Sequence, residues 1–187
     1  MDAAILFYLA HRTSACQRTI ARACGFFGVD PDCIAVCARR QDLNGCLSKL
    51  LRDKSVVFLV SAAGEKRPDC AAPVFQTLRV PLDRAGEPKG ILKLRGAEQT
   101  GYLVESVNQA IALLPDDPYE ILRMAPALFV RLKTKFSLEG DVPPRTIPAA
   151  ELGEKIRLAL EEESGETPGG VPPLSGRAAQ KGENSGL

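Results

Sequence analysis

An α/β fold with a mostly parallel sheet and one antiparallel hairpin is expected for this chain of 187 residues. Two observations predict it. Apolar segments of strand length alternate with segments of helical periodicity over the first third of the chain, which is typical of parallel strands joined by crossover helices. The composition, 45% hydrophobic and 25% charged, suits one well-buried core with a polar appendage.

The first predicted strand is the apolar start of the chain, Met1 to Ala10. No basic region precedes it, and it is much shorter than the ~20 residues that span a bilayer, so we expect a core strand and no secretory signal. Turn and N-cap residues follow at 11–14, and Gly25 and Gly28 end the first helix. Helical spacing occurs at Cys16, Ile20, Ala23, Cys24 and Phe27, and again at Leu43, Cys46, Leu47, Leu50 and Leu51.

Two more strands belong to this first half. A short strand is predicted at Cys33 to Cys37, between the two helices, and a continuous apolar run at Ser55 to Val60 predicts a strand covered on both faces. Parallel sheets hold their binding sites at the carboxyl ends of the strands. The segment Ser61 to Asp69, which leads from this strand to a third helical pattern near Val74, is therefore the candidate site.

The second half predicts three shorter strands and a long helix. The strands are expected at 91–94, 101–105 and 109–114, with Ser106 to Asn108 turning the last two into a hairpin. Pro118 then begins a helix whose apolar face extends to Phe136, and Pro126 should kink or split it.

Residues 137–187 differ in composition from the rest. Residues 1–136 carry 19 Lys and Arg against 14 Asp and Glu, whereas the remainder carries 5 against 9. We predict a core domain over 1–136 and an acidic tail over 137–187, with one short amphipathic helix at 148–163 and disorder from about residue 165.

Charge and cysteine content exclude several classes. The net charge of +1 with scattered basic residues argues against nucleic acid and anionic membranes as partners. The six cysteines contain no C-x-x-C pair and His11 is the only histidine, so a zinc site is not expected. We expect free thiols, mostly buried, in a reducing cytoplasm.

Two short segments carry a family resemblance. The stretch 64–70, Gly-Glu-Lys-Arg-Pro-Asp-Cys after a buried strand, is similar to a glycine-rich loop with a following aspartate, G-G-T-G-x-x-x-x-D. The stretch 114–118, Leu-Pro-Asp-Asp-Pro, is similar to an L-P-G-x-P turn at a similar distance downstream. Both motifs belong to the molybdopterin-binding family, which shares them with the N-terminal domain of competence/damage-inducible proteins. The resemblance implies a three-layer α/β/α domain up to about residue 136, often trimeric, whose strand-end loops hold a pterin phosphate.

The chain departs from these motifs. Ser61, Ala62 and Ala63 stand where the family has Gly, Gly and Thr, and Asp116 replaces the glycine of the second motif. Glycine allows backbone N–H groups to approach an anion and to adopt positive φ, which would cost each alanine on the order of 1 kcal/mol. We therefore expect the loop to keep its position, to change its conformation and to bind anions less well.

Candidate site residues follow from both the pattern and the resemblance. Asp69 matches the family aspartate and is the candidate catalytic residue, or alternatively the N-cap of the next helix. The candidate ligand-binding residues are Ser61, Ala62, Ala63, Gly64, Lys66, Arg67, Asp116 and Asp117. Lys66 and Arg67 either contact a phosphate or are solvated loop cations. Asp116 and Asp117 either form a metal or acid–base pair or complement a helix N-terminus.

Three functions are consistent with these residues. The first is a molybdopterin-binding-like domain that binds a pterin or nucleotide phosphate weakly, with molybdopterin as the implied cofactor, or that acts in an accessory role in molybdenum cofactor metabolism. The second is an active nucleotide pyrophosphatase or adenylyl transferase in which Asp69, Asp116 or Asp117 holds Mg²⁺. The third is a non-catalytic interaction protein that recruits a partner through its acidic tail.

Overall fold

A computed structural model describes residues 1–143 and places a six-stranded sheet between helices. The strands are β1 (Ala3–Tyr8), β2 (Pro31–Cys37), β3 (Val56–Ser61), β4 (Leu92–Arg95), β5 (Thr100–Glu105) and β6 (Ala110–Pro115). The helices are α1 (Thr13–Gly25), α2 (Leu43–Asp53), α3 (Ala71–Thr77) and α4 (Pro118–Phe136), with a 3-10 turn at Arg40–Asp42. The predicted α/β fold is confirmed.

The sheet has the strand order β2-β1-β3-β6-β5-β4. The four strands β2, β1, β3 and β6 run parallel, whereas β5 is antiparallel to both β6 and β4. The mostly parallel sheet and its antiparallel hairpin are as predicted. Register aligns Tyr8 with Ser61 and Ser61 with Pro115, so that β1, β3 and β6 end at one level. The segments that follow these three strands consequently meet at one edge of the sheet.

The core lies on both faces of the sheet. One face packs against α1 and α4, where the ring of Phe129 lies 5.3 Å from that of Phe27 and 6.1 Å from that of Phe58. The other face packs against α2 and α3, where Phe75 meets Tyr102 edge-on at 5.1 Å. Every residue of β1, β3 and β6 is buried, which explains why these strands are apolar without alternation.

Two helix N-termini and the interior of α4 bear on expectations from the sequence. The N-cap of α1 is Arg12, and its side chain makes no capping hydrogen bond. Cys70 is the N-cap of α3, so the alternative role of Asp69 as that N-cap is wrong. Pro126 does not split α4, which runs for 19 residues. The apolar face of α4 remains packed on both sides of this proline, at Ile121 and at Leu132.

The packed part of the chain continues beyond α4. Ser137 adopts a left-handed conformation (φ 51°) that ends the helix, and Leu138 and Val142 pack against the cluster beneath α1 and α4. The predicted helix at 148–163 and the predicted disorder from about residue 165 lie outside the described residues. Within residues 1–143, no helix is both long and apolar enough to cross a membrane.

Candidate functional site

The loop between β3 and α3 folds into a small hairpin of its own. Gly64 N donates to Arg67 O at 3.0 Å, and Asp69 N donates to Ala62 O at 3.0 Å. Ser61, which is fully buried, accepts a hydrogen bond on Oγ from Cys70 N at 3.0 Å. These amides are satisfied within the loop and do not point together at an open hollow.

The two alanines of this loop are unstrained. Neither Ala62 nor Ala63 has positive φ. Gly64 is needed for a different reason, since a Cβ there would lie 2.7 Å from Arg67 O and 2.8 Å from Asp69 Oδ1. The loop therefore has a conformation that alanine tolerates, and the expected change relative to the family loop stays a prediction.

Asp116 lies at the point where the three strand-end segments meet. Its Oδ2 accepts from His11 N at 2.8 Å, and its Oδ1 accepts from Ala63 N at 3.1 Å. Its own N–H donates to Ser61 O at 2.8 Å. With 8% of its surface exposed, Asp116 is buried, and its carboxylate is held by backbone N–H groups of two separate loops.

Asp117 has a different role from its neighbour. It is the N-cap of α4, and its Oδ1 accepts from Tyr119 N at 2.8 Å and Glu120 N at 3.2 Å. Its Oδ2 also pairs with Arg12 at 2.6 Å. Asp117 thus complements the N-terminus of α4, which was one of the two roles considered for both aspartates. Asp116 instead contacts the loops that follow β1 and β3.

An open cleft of about 790 Å³ lies beside this loop. One wall is the loop 64–69, and the other is formed by β4, β5 and their turn, with residues 85 and 87 at the rim. Four cations line it, namely Lys66, Arg67, Lys93 and Arg95. Four carboxylates also line it, namely Glu65, Asp69, Glu87 and Glu98. The cleft is therefore highly charged but has no net charge.

The four cations are not equally available. Lys93 pairs with Glu87 at 2.7 Å, and Arg67 donates to Gly86 O at 3.2 Å. The side chains of Lys66 and Arg95 are exposed and have no partner among residues 1–143. Both can donate to an incoming oxyanion without breaking an existing contact.

The three candidate magnesium ligands, Asp69, Asp116 and Asp117, have different surroundings. Asp69 is exposed in the cleft, Asp116 faces backbone N–H groups, and Asp117 is engaged by Arg12 and its helix. Within the described part of the chain, no three His, Cys, Asp or Glu residues form a group that could hold a metal ion. Because Mg²⁺ is often held by one or two carboxylates together with substrate phosphates, the magnesium role of these aspartates and the catalytic role of Asp69 both stay predictions.

Sequence reasoning missed the second wall of the cleft. Glu120, buried in the first turn of α4, accepts from Ala97 N at 2.8 Å, Glu98 N at 3.1 Å and Gln99 N at 3.3 Å. Gln99 in turn donates from Nε2 to Gly64 O at 3.0 Å. The spacing Asp117-x-x-Glu120 was a visible capping signal, but it could not indicate that Glu120 reaches the turn between β4 and β5.

Three further residues lie at or near the site, namely Cys70, His11 and Tyr102. Burial raises the pKa of the Cys70 thiol to about 12, which does not suit a reactive nucleophile. His11 is exposed, and its contribution to the site is its backbone N–H rather than its ring. Burial likewise raises the pKa of Tyr102, at the bottom of the cleft, although nearby Arg67 opposes the shift.

Comparison with known proteins supports the fold. No protein-family model and no curated protein matches the chain. Among solved structures, it is similar to the crystal structure of CinA from Thermoplasma acidophilum, a protein of unknown function, with a TM-score of 0.52. The alignment covers 72% of this chain and 96% of that chain at 12% identity. At this identity the likeness shows the fold alone, and the predicted resemblance to competence/damage-inducible proteins is confirmed at that level.

Proposed function

We propose that this CinA-like domain is a ligand-binding domain with an accessory role, which holds a phosphorylated heterocycle, a pterin or a nucleotide, in the charged cleft. The observation that carries the proposal is the pair of cations on the two walls of the cleft, Lys66 and Arg95, which have no partner among residues 1–143. The cleft opens beside the carboxyl end of β3, where parallel sheets bind their ligands. Its volume, about 790 Å³, is in the range of small-molecule sites.

The balance of charge in the cleft indicates which ligands fit. Phosphate oxygens accept charge-assisted hydrogen bonds from Lys and Arg, so Lys66 and Arg95 suit the phosphate end. Exposed carboxylates such as Asp69 and Glu98 accept from N–H groups, which pterins and guanine present on the ring edge. Four negative charges offset four positive ones, so long-range attraction is small and binding should be weak.

Molybdopterin is the pterin that the family resemblance implies. Its phosphate would contact side chains, because Gly64 N, Asp69 N and Cys70 N are already used within the loop. Lys66 and Arg95 would hold that phosphate, with Arg67 at the side of the cleft.

Isothermal titration of the full chain with a pterin phosphate, GMP and AMP tests the proposal. At least one of these ligands should bind with a Kd in the micromolar to millimolar range. The double variant Lys66→Ala/Arg95→Ala should raise that Kd about tenfold or more, because each charge-assisted hydrogen bond contributes roughly 1.5–3 kcal/mol.

The matched control is Arg18→Ala/Lys49→Ala, which removes two exposed cations of α1 and α2 outside the cleft. This variant should bind like the wild type. Absence of heat for all ligands at millimolar concentration would reject the proposal, as would an equal loss of affinity in both double variants.

A further inference from the structure

The carboxylate of Asp116 is held as a bound anion would be. Its two oxygens face the N–H groups of His11 and Ala63, which are 105 and 53 residues away in sequence. No Lys or Arg of the described residues pairs with it. A carboxylate this deeply buried must be satisfied by hydrogen bonds, and here backbone amides alone provide them.

Backbone N–H groups from separate strand-end loops form oxyanion sites when they point at one position. Asp116 also lies just before the N-terminus of α4, where the helix dipole favours negative charge. The arrangement of donors is thus suited to a small carboxylate or phosphate, and the chain provides the anion itself.

We propose that Asp116 is a built-in ligand, whose carboxylate fills a two-amide oxyanion site formed by His11 and Ala63 and thereby excludes external anions from it. A phosphate could not enter while the carboxylate is present, because like charges repel and both donors are in use. The proposal does not depend on any ligand in the charged cleft, since neither His11 nor Asp116 lines that cleft.

Chemical rescue tests this inference in the full chain. Asp116→Gly removes the carboxylate and leaves two inward-facing donors without a partner, so the variant should melt at a temperature lower by about 5 °C in sodium chloride. Sodium formate or sodium phosphate of equal ionic strength should restore most of this loss, with saturation, because an anion that binds only the folded state stabilises it. The wild-type melting temperature should change equally in formate and in chloride.

Asp117→Asn is the matched control. It removes the ion pair with Arg12 and the negative charge at the N-terminus of α4, while the amide oxygen can still cap the helix and the Asp116 carboxylate stays in place. Its melting temperature should fall without anion-specific recovery. The inference is overturned if formate and phosphate do not raise the melting temperature of Asp116→Gly in a saturable way. It is also overturned if they raise the melting temperatures of Asp117→Asn and of the wild type by the same amount.

A folding assay covers the case in which Asp116→Gly is not folded in chloride. The variant is then refolded from denaturant in formate and in chloride, and the yield of native protein is compared. A higher yield in formate supports the inference, and equal yields contradict it.

Discussion

Gly64 is the residue of the β3–α3 loop that cannot carry a side chain. A methyl group there would approach Arg67 O to 2.7 Å and Asp69 Oδ1 to 2.8 Å, and the first of these is a backbone atom that cannot move without opening the turn. Gly64→Ala should therefore lower the free energy of unfolding by roughly 1–3 kcal/mol, as overpacking does elsewhere. Chemical denaturation measures the change.

The control for this substitution is Gly45→Ala. Gly45 is exposed on α2, and a Cβ there meets no atom within 4 Å. Because alanine is the better helix former, this variant should be more stable by about 0.5–1 kcal/mol. A loss of stability at residue 45, or none at residue 64, would contradict this account of the loop.

Single residues show how far sequence reasoning reaches. The alanines of the loop predict a backbone without positive φ at these positions, because the steric cost of positive φ is a local property, and neither Ala62 nor Ala63 has positive φ. The sequence also predicted an acidic residue at the start of α4, and Asp117 has that place. It could not distinguish Asp116 from Asp117, because the amides that hold Asp116 come from residues 11 and 63. Such convergence depends on strand order and register.

The connection between α4 and the turn from β4 to β5 depends on Glu120. Its carboxylate accepts from three consecutive backbone N–H groups at 97–99, and a Cβ on Gly96 would lie 1.7 Å from its Oε2. Glu120→Ala would leave these amides without their acceptor. We expect the free energy of unfolding to fall by roughly 2–4 kcal/mol and amide hydrogen exchange at 96–100 to accelerate, as mass spectrometry would measure.

Glu98→Ala is a suitable control, since the Glu98 side chain is exposed and has no partner among residues 1–143. That variant should exchange like the wild type at 96–100. If Glu120→Ala also exchanged like the wild type there, the carboxylate would not be what holds the turn against α4.

Elements were predicted well where one pattern dominated. Each of the three strands β1, β3 and β6 is an unbroken apolar run, and α1 and α2 show clear helical spacing, so their types and order followed from sequence. Pro126 predicted a kink or a split, and α4 is not split: its apolar face is packed on both sides of this proline. The second wall of the cleft escaped prediction because β4 is short, with three of its four residues exposed, and because its place opposite residues 64–69 is a tertiary property.

Buried thiols lie on both faces of the sheet. Cys16 and Cys24 lie beneath α1 on one face of the sheet, and Cys70 lies on the other. Burial raises the pKa of each of these three thiols to about 12, and nearby acidic groups act in the same direction. The folded protein therefore disfavours the ionised thiolate form on both faces of the sheet. We expect its stability to fall at alkaline pH for this reason.

The sign of the pH effect follows from proton binding. In the unfolded chain these thiols titrate near ~8.5, whereas the folded protein retains their protons up to a pKa of about 12. Stability from this source is complete below pH ~8 and is lost as the pH rises, because only the unfolded state then releases protons. Each thiol should lower the free energy of unfolding by up to about 1.4 kcal/mol per pH unit above pH ~9.

Denaturation curves at several pH values measure the slope. The variant Cys16→Ala/Cys24→Ala/Cys70→Ala should show a smaller slope, whereas Ser14→Ala/Ser48→Ala, at two exposed serines, should keep that of the wild type. Equal slopes in both variants would show that the buried thiols do not control alkaline unfolding.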